Sequence, residues 1–300
     1  AAEPGPVPWQ RVTVGVPGPE FEARPPEHYA FDFPDAECDG WSTSCLCLRF
    51  ASVRGAKHRY YHQPRQDAAR AAVHKVTGSI AFAVADGVSS AANSELGAIE
   101  ACRAALEKML HQLSQDQGRL DFPGVARHAA ERLRQVTQWR LSGKQPAAGE
   151  VAGLHATTLV AGVVRPRPAG EPVAEICRIG DSGGWVLDSS TGRYQPLFGS
   201  KTGTDAVVVS NEVTPLPHVP DPLEQASIRL AADQVLLIGT DGFADPLGDG
   251  DGQVGALFTR HLTTPPPPLW LAHLLDFSRE TFDDDRTLLA IWPRTAPESP

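Results

Sequence analysis

No stretch of this 300-residue chain approaches the roughly 20 apolar residues that span a bilayer, so the sequence argues against a membrane partner. It has no basic run, and its formal net charge is −9. That balance disfavours a nucleic-acid backbone as partner, because a polyanion and an acidic protein repel. Cysteine is scarce. Five residues, an odd number, do not build a disulfide framework and fit reduced thiols in a cytoplasmic protein. Cys38, Cys45 and Cys47 cluster, but their spacing supplies no fourth ligand for zinc. The opening Ala1–Trp9 lacks the charged start and apolar middle of a signal peptide. The single methionine, Met109, and the leucines near it read as core. Internal repeats are absent too.

Proline, by contrast, is dense at the start: Pro4, Pro6, Pro8, Pro17, Pro19, Pro25, Pro26 and Pro34. Each removes a backbone donor, so residues 1–40 read as an extended arm, with Trp9, Phe21, Tyr29, Phe31 and Phe33 lying partly against the body. Beyond it the pattern is that of one domain over 41–293 and a short tail over 294–300. Ile80, Phe82 and Val84 alternate on one face of a strand. Asn93 or Ser94 caps a helix with Leu96, Ile99, Leu106, Leu110 and Leu113 on one face. A second helix over 123–141 carries Val125, Ala129, Leu133 and Val136. Strands are predicted at 156–164, 175–180, 184–188, 235–239 and 287–292, with a helix at 269–277 before the last. The stretch 192–233 reads as mainly loop or flap. Trp139, Trp185, Trp270 and Trp292 read as packing residues. Strands adjoining strands, with helices in separate blocks, predict an α+β layered sandwich.

Four aspartates share a local grammar in which a strand ends and Asp stands beside Gly, Ser or Asp. They are Asp86 (Ala85-Asp86-Gly87), Asp181 (Gly180-Asp181-Ser182), Asp241 (Thr240-Asp241-Gly242) and Asp284 (Asp283-Asp284-Asp285). A carboxylate just past a buried strand is fixed by the scaffold yet faces open space, and several such ends converging suit Mg²⁺ or Mn²⁺. Taken singly, each is as readily an ordinary turn residue. Asp249-Gly-Asp-Gly252 lacks the later Glu of a calcium loop and reads as a turn.

In order along the chain, Phe82–Val88, Gly180–Ser182, Leu236–Gly242 and Asp284–Thr287 resemble the successive motifs of PPM-type (type 2C) metal-dependent Ser/Thr protein phosphatases. Ser52–His58 followed by Pro64–Asp67, and Asp86–Ser90 followed by Ser94–Ala98, are similar to a bacterial branch of that family; His155–Leu159 resembles its strand with paired threonines. The resemblance covers residues 41 to 293. It implies two packed antiparallel β-sheets flanked by helices, an αββα sandwich with a metal cleft at one end. It also implies roles: Asp86 as the carboxylate bridging two ions, the Gly87 carbonyl on the second, Asp241 and Asp284 on the first. Asp67 resembles the residue that orients metal-bound water, and Asp181 the ligand of a weaker third ion seen in some members. The implied activity is hydrolysis of phosphoserine and phosphothreonine in proteins by a water bridging two Mn²⁺ or Mg²⁺ ions. Phosphorylated proteins, and a cognate Ser/Thr kinase in bacterial signalling, are the implied partners.

Departures from the pattern give some weight to a second reading, a pseudophosphatase serving as a regulatory module, whereas the intact Asp86, Asp241 and Asp284 favour catalysis. Gln66 stands where many members carry Glu, and Val88 where some carry a histidine acid. His58 and His62 are candidates for phosphate contact or for proton donation. Lys57, Arg59 and Arg65 read as a basic loop that draws phosphate toward an acidic cleft.

Overall fold

The computed structural model describes residues 11–18, 34–115, 120–199 and 214–294. Its elements in chain order are β1 (Ala36–Ser42), β2 (Leu46–Val53), α1 (Ala56–Tyr60), β3 (Asp67–Val73), β4 (Ile80–Asp86), α2 (Ser94–Gln115), α3 (Phe122–Arg140), α4 (Ala148–His155), β5 (Leu159–Arg165) and β6 (Val173–Ile179). There follow β7 (Gly183–Asp188), β8 (Arg193–Pro196), β9 (Glu224–Arg229), β10 (Gln234–Gly239), α5 (Asp241–Leu247), α6 (Gln253–Leu262), α7 (Pro268–Leu275) and β11 (Arg286–Pro293).

Two antiparallel sheets stack, one ordered β1-β2-β11-β10-β7-β8 and the other β3-β4-β5-β6-β9. Period-two alternation explains the layering. In β4, Ile80, Phe82 and Val84 face the second sheet and meet Leu48, Leu236, Leu289 and Ile291. The residues between them, Ala81, Ala83 and Ala85, face outward onto α2. On the opposite side Val235 and Leu237 of β10 face outward onto Phe243, Phe258 and Phe277. The result is the expected helix–sheet–sheet–helix sandwich.

Several expectations change. In α2 the predicted Ile99 and Leu113 are buried, as is Met109, but Gly97, Ala98, Ala101, Cys102, Ala104 and Ala105 make up most of the buried face, and Leu96, Leu106 and Leu110 are only partly covered. Small side chains let the helix lie close to the alanines of β4, which a leucine stripe would not. In α3, Thr137 rather than Val136 completes the stripe; its hydroxyl is satisfied by Leu133 O at 2.8 Å. The stretch 192–233 holds two strands, β8 and β9, each on a sheet edge where half-exposed polar residues mask the periodicity. Trp139 is 81% exposed rather than packed, near the end of α3. Strand β1 begins at Ala36, inside the segment read as the arm, and pairs with β2 along its length. Nearer the start, Val14 is buried and Thr13 bridges Ser278, whereas Trp9, Phe21, Tyr29, Phe31 and Phe33 lie outside the described residues. All five cysteines are free thiols. Among the described residues no helix is long and apolar enough to cross a membrane.

Candidate metal centre

Register brings the carboxylates together. Asp67 opens β3, Asp86 closes β4, and the two stand opposite each other in the antiparallel pair. In the facing sheet β10 ends at Gly239, so Thr240 and Asp241 follow at the same end of the sandwich where Asp284 and Asp285 lead into β11. Close approach is required there: a Cβ on Gly242 would lie 1.9 Å from Asp285 O, so only glycine lets the first turn of α5 pass.

Asp67 ties the two sheets. Its Oδ2 accepts from Thr240 Oγ1 at 2.7 Å and from Thr287 Oγ1 at 2.8 Å. Ser52 Oγ lies 2.7 Å from Thr287 Oγ1; since Thr287 has one hydroxyl proton and gives it to Asp67, Ser52 is the donor in that pair. Asp67 Oδ1 is buried and has no partner. Asp86 is fixed through its main chain: its carbonyl accepts from Thr158 N and Thr157 Oγ1, both at 2.8 Å, and its N–H donates to Thr158 Oγ1 at 3.0 Å. These are the paired threonines of the sequence motif. Thr158 is steadied in turn by Ser182 at 2.8 Å. The Gly87 N–H donates to Gln66 O at 3.1 Å.

The group carries strong mutual repulsion. Burial pushes the Asp67 carboxyl well above the ordinary range, and the charge of Asp285 adds to this against the opposing hydrogen bonds from Thr240 and Thr287. Burial, then Asp67 and Asp241, push Asp86 the same way. Asp241 is raised by burial, with its hydrogen bond to Asp86 working against the rise and Asp284, Asp181 and Asp245 adding to it. The oxygen donors of Asp67, Asp86 and Asp241, crowded, buried or half-buried and including one orphaned oxygen, make a set that fits hard divalent cations.

Asp285, which sequence reasoning passed over in favour of Asp284, is the most firmly held carboxylate. Its Oδ1 accepts from Gly55 N at 2.7 Å and its Oδ2 from Gln66 N at 2.6 Å. The run Asp283-Asp284-Asp285 was the available signal. His58, Asp284 and Asp285 present donor atoms all within 4.8 Å of one another. His58 Nδ1 lies 2.9 Å from Asp285 Oδ2 and Nε2 lies 3.7 Å from Asp284 Oδ1, ion-pair distances without a well-directed hydrogen bond. Burial opposes a charge on that ring, but Asp285, Asp284 and Asp67 outweigh it and raise the imidazole above its ordinary value. His62 is not brought to the cluster by any contact among the described residues; it sits in the turn after α1 with φ 57°.

Two cavities share Asp241. The larger, about 540 Å³, is lined by Asp181, Asp245, Trp185, Tyr194 and Phe198. The smaller, about 220 Å³, includes Asp284, Asp283, Phe282 and Lys57. The arginines of the preceding loop are engaged elsewhere: Arg54 with Asp35 at 2.6 Å, Arg59 with Asp35 and Asp276 at 3.2 Å each, and buried Arg65 with Glu37 at 2.9 Å.

Solved structures share this architecture. RsbX in complex with magnesium matches with a TM-score of 0.53 at 12% identity, over 86% of this chain and all of that one. PppA, a regulatory component of the Pseudomonas aeruginosa T6SS, matches with 0.52 at 17% identity, over 87% and 99%. The Mycobacterium tuberculosis serine/threonine phosphatase PstP matches with 0.51 at 15% identity, over 84% and 100%, and its catalytic domain is also solved with two manganese ions. No curated protein matches in sequence. The family model for protein phosphatase 2C matches residues 54–276, a span that takes in α1, β3, β4 and Asp241. Dependence on Mn²⁺ or Mg²⁺ goes with that family. On a match over most of its length, this chain belongs to the protein phosphatase 2C family.

Proposed function

We propose that the chain hydrolyses phosphoserine and phosphothreonine in proteins, with two Mn²⁺ or Mg²⁺ ions held by Asp86, the Gly87 carbonyl, Asp241 and Asp284. The convergence of Asp67, Asp86, Asp241 and Asp284 on one end of both sheets, beside two open cavities, carries this reading. Such ions would offset the charge of a phosphate dianion and would lower the pKa of a coordinated water.

The protein's own groups supply the rest. Asp86 is paired across β3 and β4 with Asp67, whose Oδ1 has no hydrogen-bond partner. That oxygen accepts the hydrogen bond that orients the attacking water. Thr240 and Thr287 hold its partner oxygen still, which fixes the line of attack. Lys57 lines the cavity that contains both Asp241 and Asp284 and gives a phosphate oxygen its cationic contact. Asp181, lining the larger cavity, serves a third and weaker ion. Phosphorylated proteins, and the kinase that makes them, are the partners this chemistry asks for.

The test is phosphate release from a phosphothreonine peptide with EDTA, Mg²⁺ or Mn²⁺. Release with either cation and none with EDTA is expected; no release by the folded protein at saturating Mn²⁺ would contradict the proposal.

A further inference from the structure

We infer that His58 is a positioning residue for Asp284, braced by Asp285, and that this brace sets the affinity of the centre for its divalent cation. The inference rests on reading the acidic centre as a cation site. It assigns His58 a task other than proton donation. The ring is 2% exposed and lies against Asp285 and Asp284.

The geometry is that of a wedge between two strand ends. Both oxygens of Asp285 already accept main-chain donors, Gly55 N and Gln66 N, so this carboxylate is locked to the chain on either side of α1. His58 Nδ1 abuts it at 2.9 Å, and the other ring nitrogen faces Asp284 Oδ1 at 3.7 Å. Asp284 Oδ1 also accepts the N–H of Asp285 at 2.9 Å. The loop carrying His58 is pressed against this segment. Lys57 N donates to Asp283 O at 3.1 Å, and a Cβ on Gly55 would lie 2.2–2.5 Å from Asp283 and Asp284 main-chain atoms. A ring whose nitrogens face different carboxylates, one of them held by two main-chain donors, suits a brace. Outer-shell partners of metal-ligating side chains contribute about 10–100-fold to metal affinity.

The experiment compares wild type, His58→Ala and His58→Gln. Mn²⁺ binding is read by calorimetry, and turnover is read on p-nitrophenyl phosphate and a phosphothreonine peptide. His58→Ala should weaken Mn²⁺ binding about 10-fold or more, and His58→Gln, which keeps a donor, should recover most of it. The half-saturating Mn²⁺ for turnover should rise equally for both substrates, with kcat largely regained at high Mn²⁺. Mn²⁺ affinity unchanged within about twofold in both variants would overturn the inference. So would a kcat loss at saturating Mn²⁺ confined to the peptide, whose poor leaving group needs an acid. If His58→Ala does not fold, His58→Gln against Asp285→Asn gives the same reading, with the Asp285 variant the weaker binder. Calorimetry keeps this test separate from the functional proposal: a wild type that binds Mn²⁺ but turns nothing over would sink that proposal and leave the brace measurable.

Discussion

The two sides of the acidic centre are built differently. On the side of α1 and β11, Asp67 and Asp285 are buried and accept four hydrogen bonds between them from Thr240, Thr287, Gly55 and Gln66. On the side of β7 and α5, Asp181 and Asp245 line an open cavity of about 540 Å³, Asp181 half-buried and Asp245 exposed. Asp86 and Asp241 join the two. A preorganised carboxylate gives its cation a site without rearrangement, whereas a solvent-facing one must give up water at the moment of binding. The difference teaches that affinity should be graded across one cluster, tight at the braced side and weak at the open side.

Substitution at the junction should have the largest effect. Asp86→Ala or Asp241→Asn is expected to lower kcat/KM by at least about 10³-fold, since the electrostatic stabilisation goes with the ions. Steady-state kinetics at several Mn²⁺ concentrations would check it. On the braced side, Asp67→Asn should cost on the order of 10²-fold in kcat with little change in KM, because the unfilled Oδ1 acts on the attacking water. Lys57→Ala should raise KM and the inhibition constant for inorganic phosphate about 10-fold, as expected for one charged hydrogen bond; Lys57→Arg should restore part of it. On the open side, Asp181→Asn should leave kcat at saturating Mn²⁺ close to wild type. A loss at Asp181 as large as at Asp67 would erase the contrast between the two sides.

The same repulsion predicts a pH dependence. Asp67, Asp86 and Asp241 have carboxyls raised by folding when no metal offsets them, so the folded state binds more protons than the unfolded one. Stability of the metal-free protein should therefore fall as pH rises from about 4, the ordinary carboxylate range, toward neutrality. His58, also raised, has the same sign: its contribution is present below its ordinary value and lost as pH climbs through the raised one. Melting temperatures with EDTA should decline over that window, and saturating Mn²⁺ should flatten the decline. Equal slopes with and without metal would contradict the assignment of these carboxylates to a cation site.

Much of this was legible in the sequence. Strand periodicity located β4, β7, β10 and β11, and the Asp-Gly and Asp-Asp junctions marked the strand ends that converge. What escaped has physical reasons. Edge strands β8 and β9 bury one face weakly, so their alternation is faint. Most of the sheet-facing side of α2 is small rather than large, so the stripe that found Ile99 and Leu113 missed the alanines beside them. Asp285 was hidden because its partners, Gly55 N and Gln66 N, are main-chain groups far away in sequence with no side-chain signature. His58 showed as a titratable residue near the right motif, but its burial against Asp284 and Asp285 had no signal in the sequence.

The central claim is that the acidic end of the sandwich is the catalytic centre, and one comparison tests it most directly. Phosphate release from a phosphothreonine peptide at saturating Mn²⁺ would be measured for wild type and Asp241→Asn, both shown folded by their melting transitions. The account predicts metal-dependent turnover in wild type and its near-complete loss in the variant. Equal turnover in the two proteins, or none in either, would contradict it.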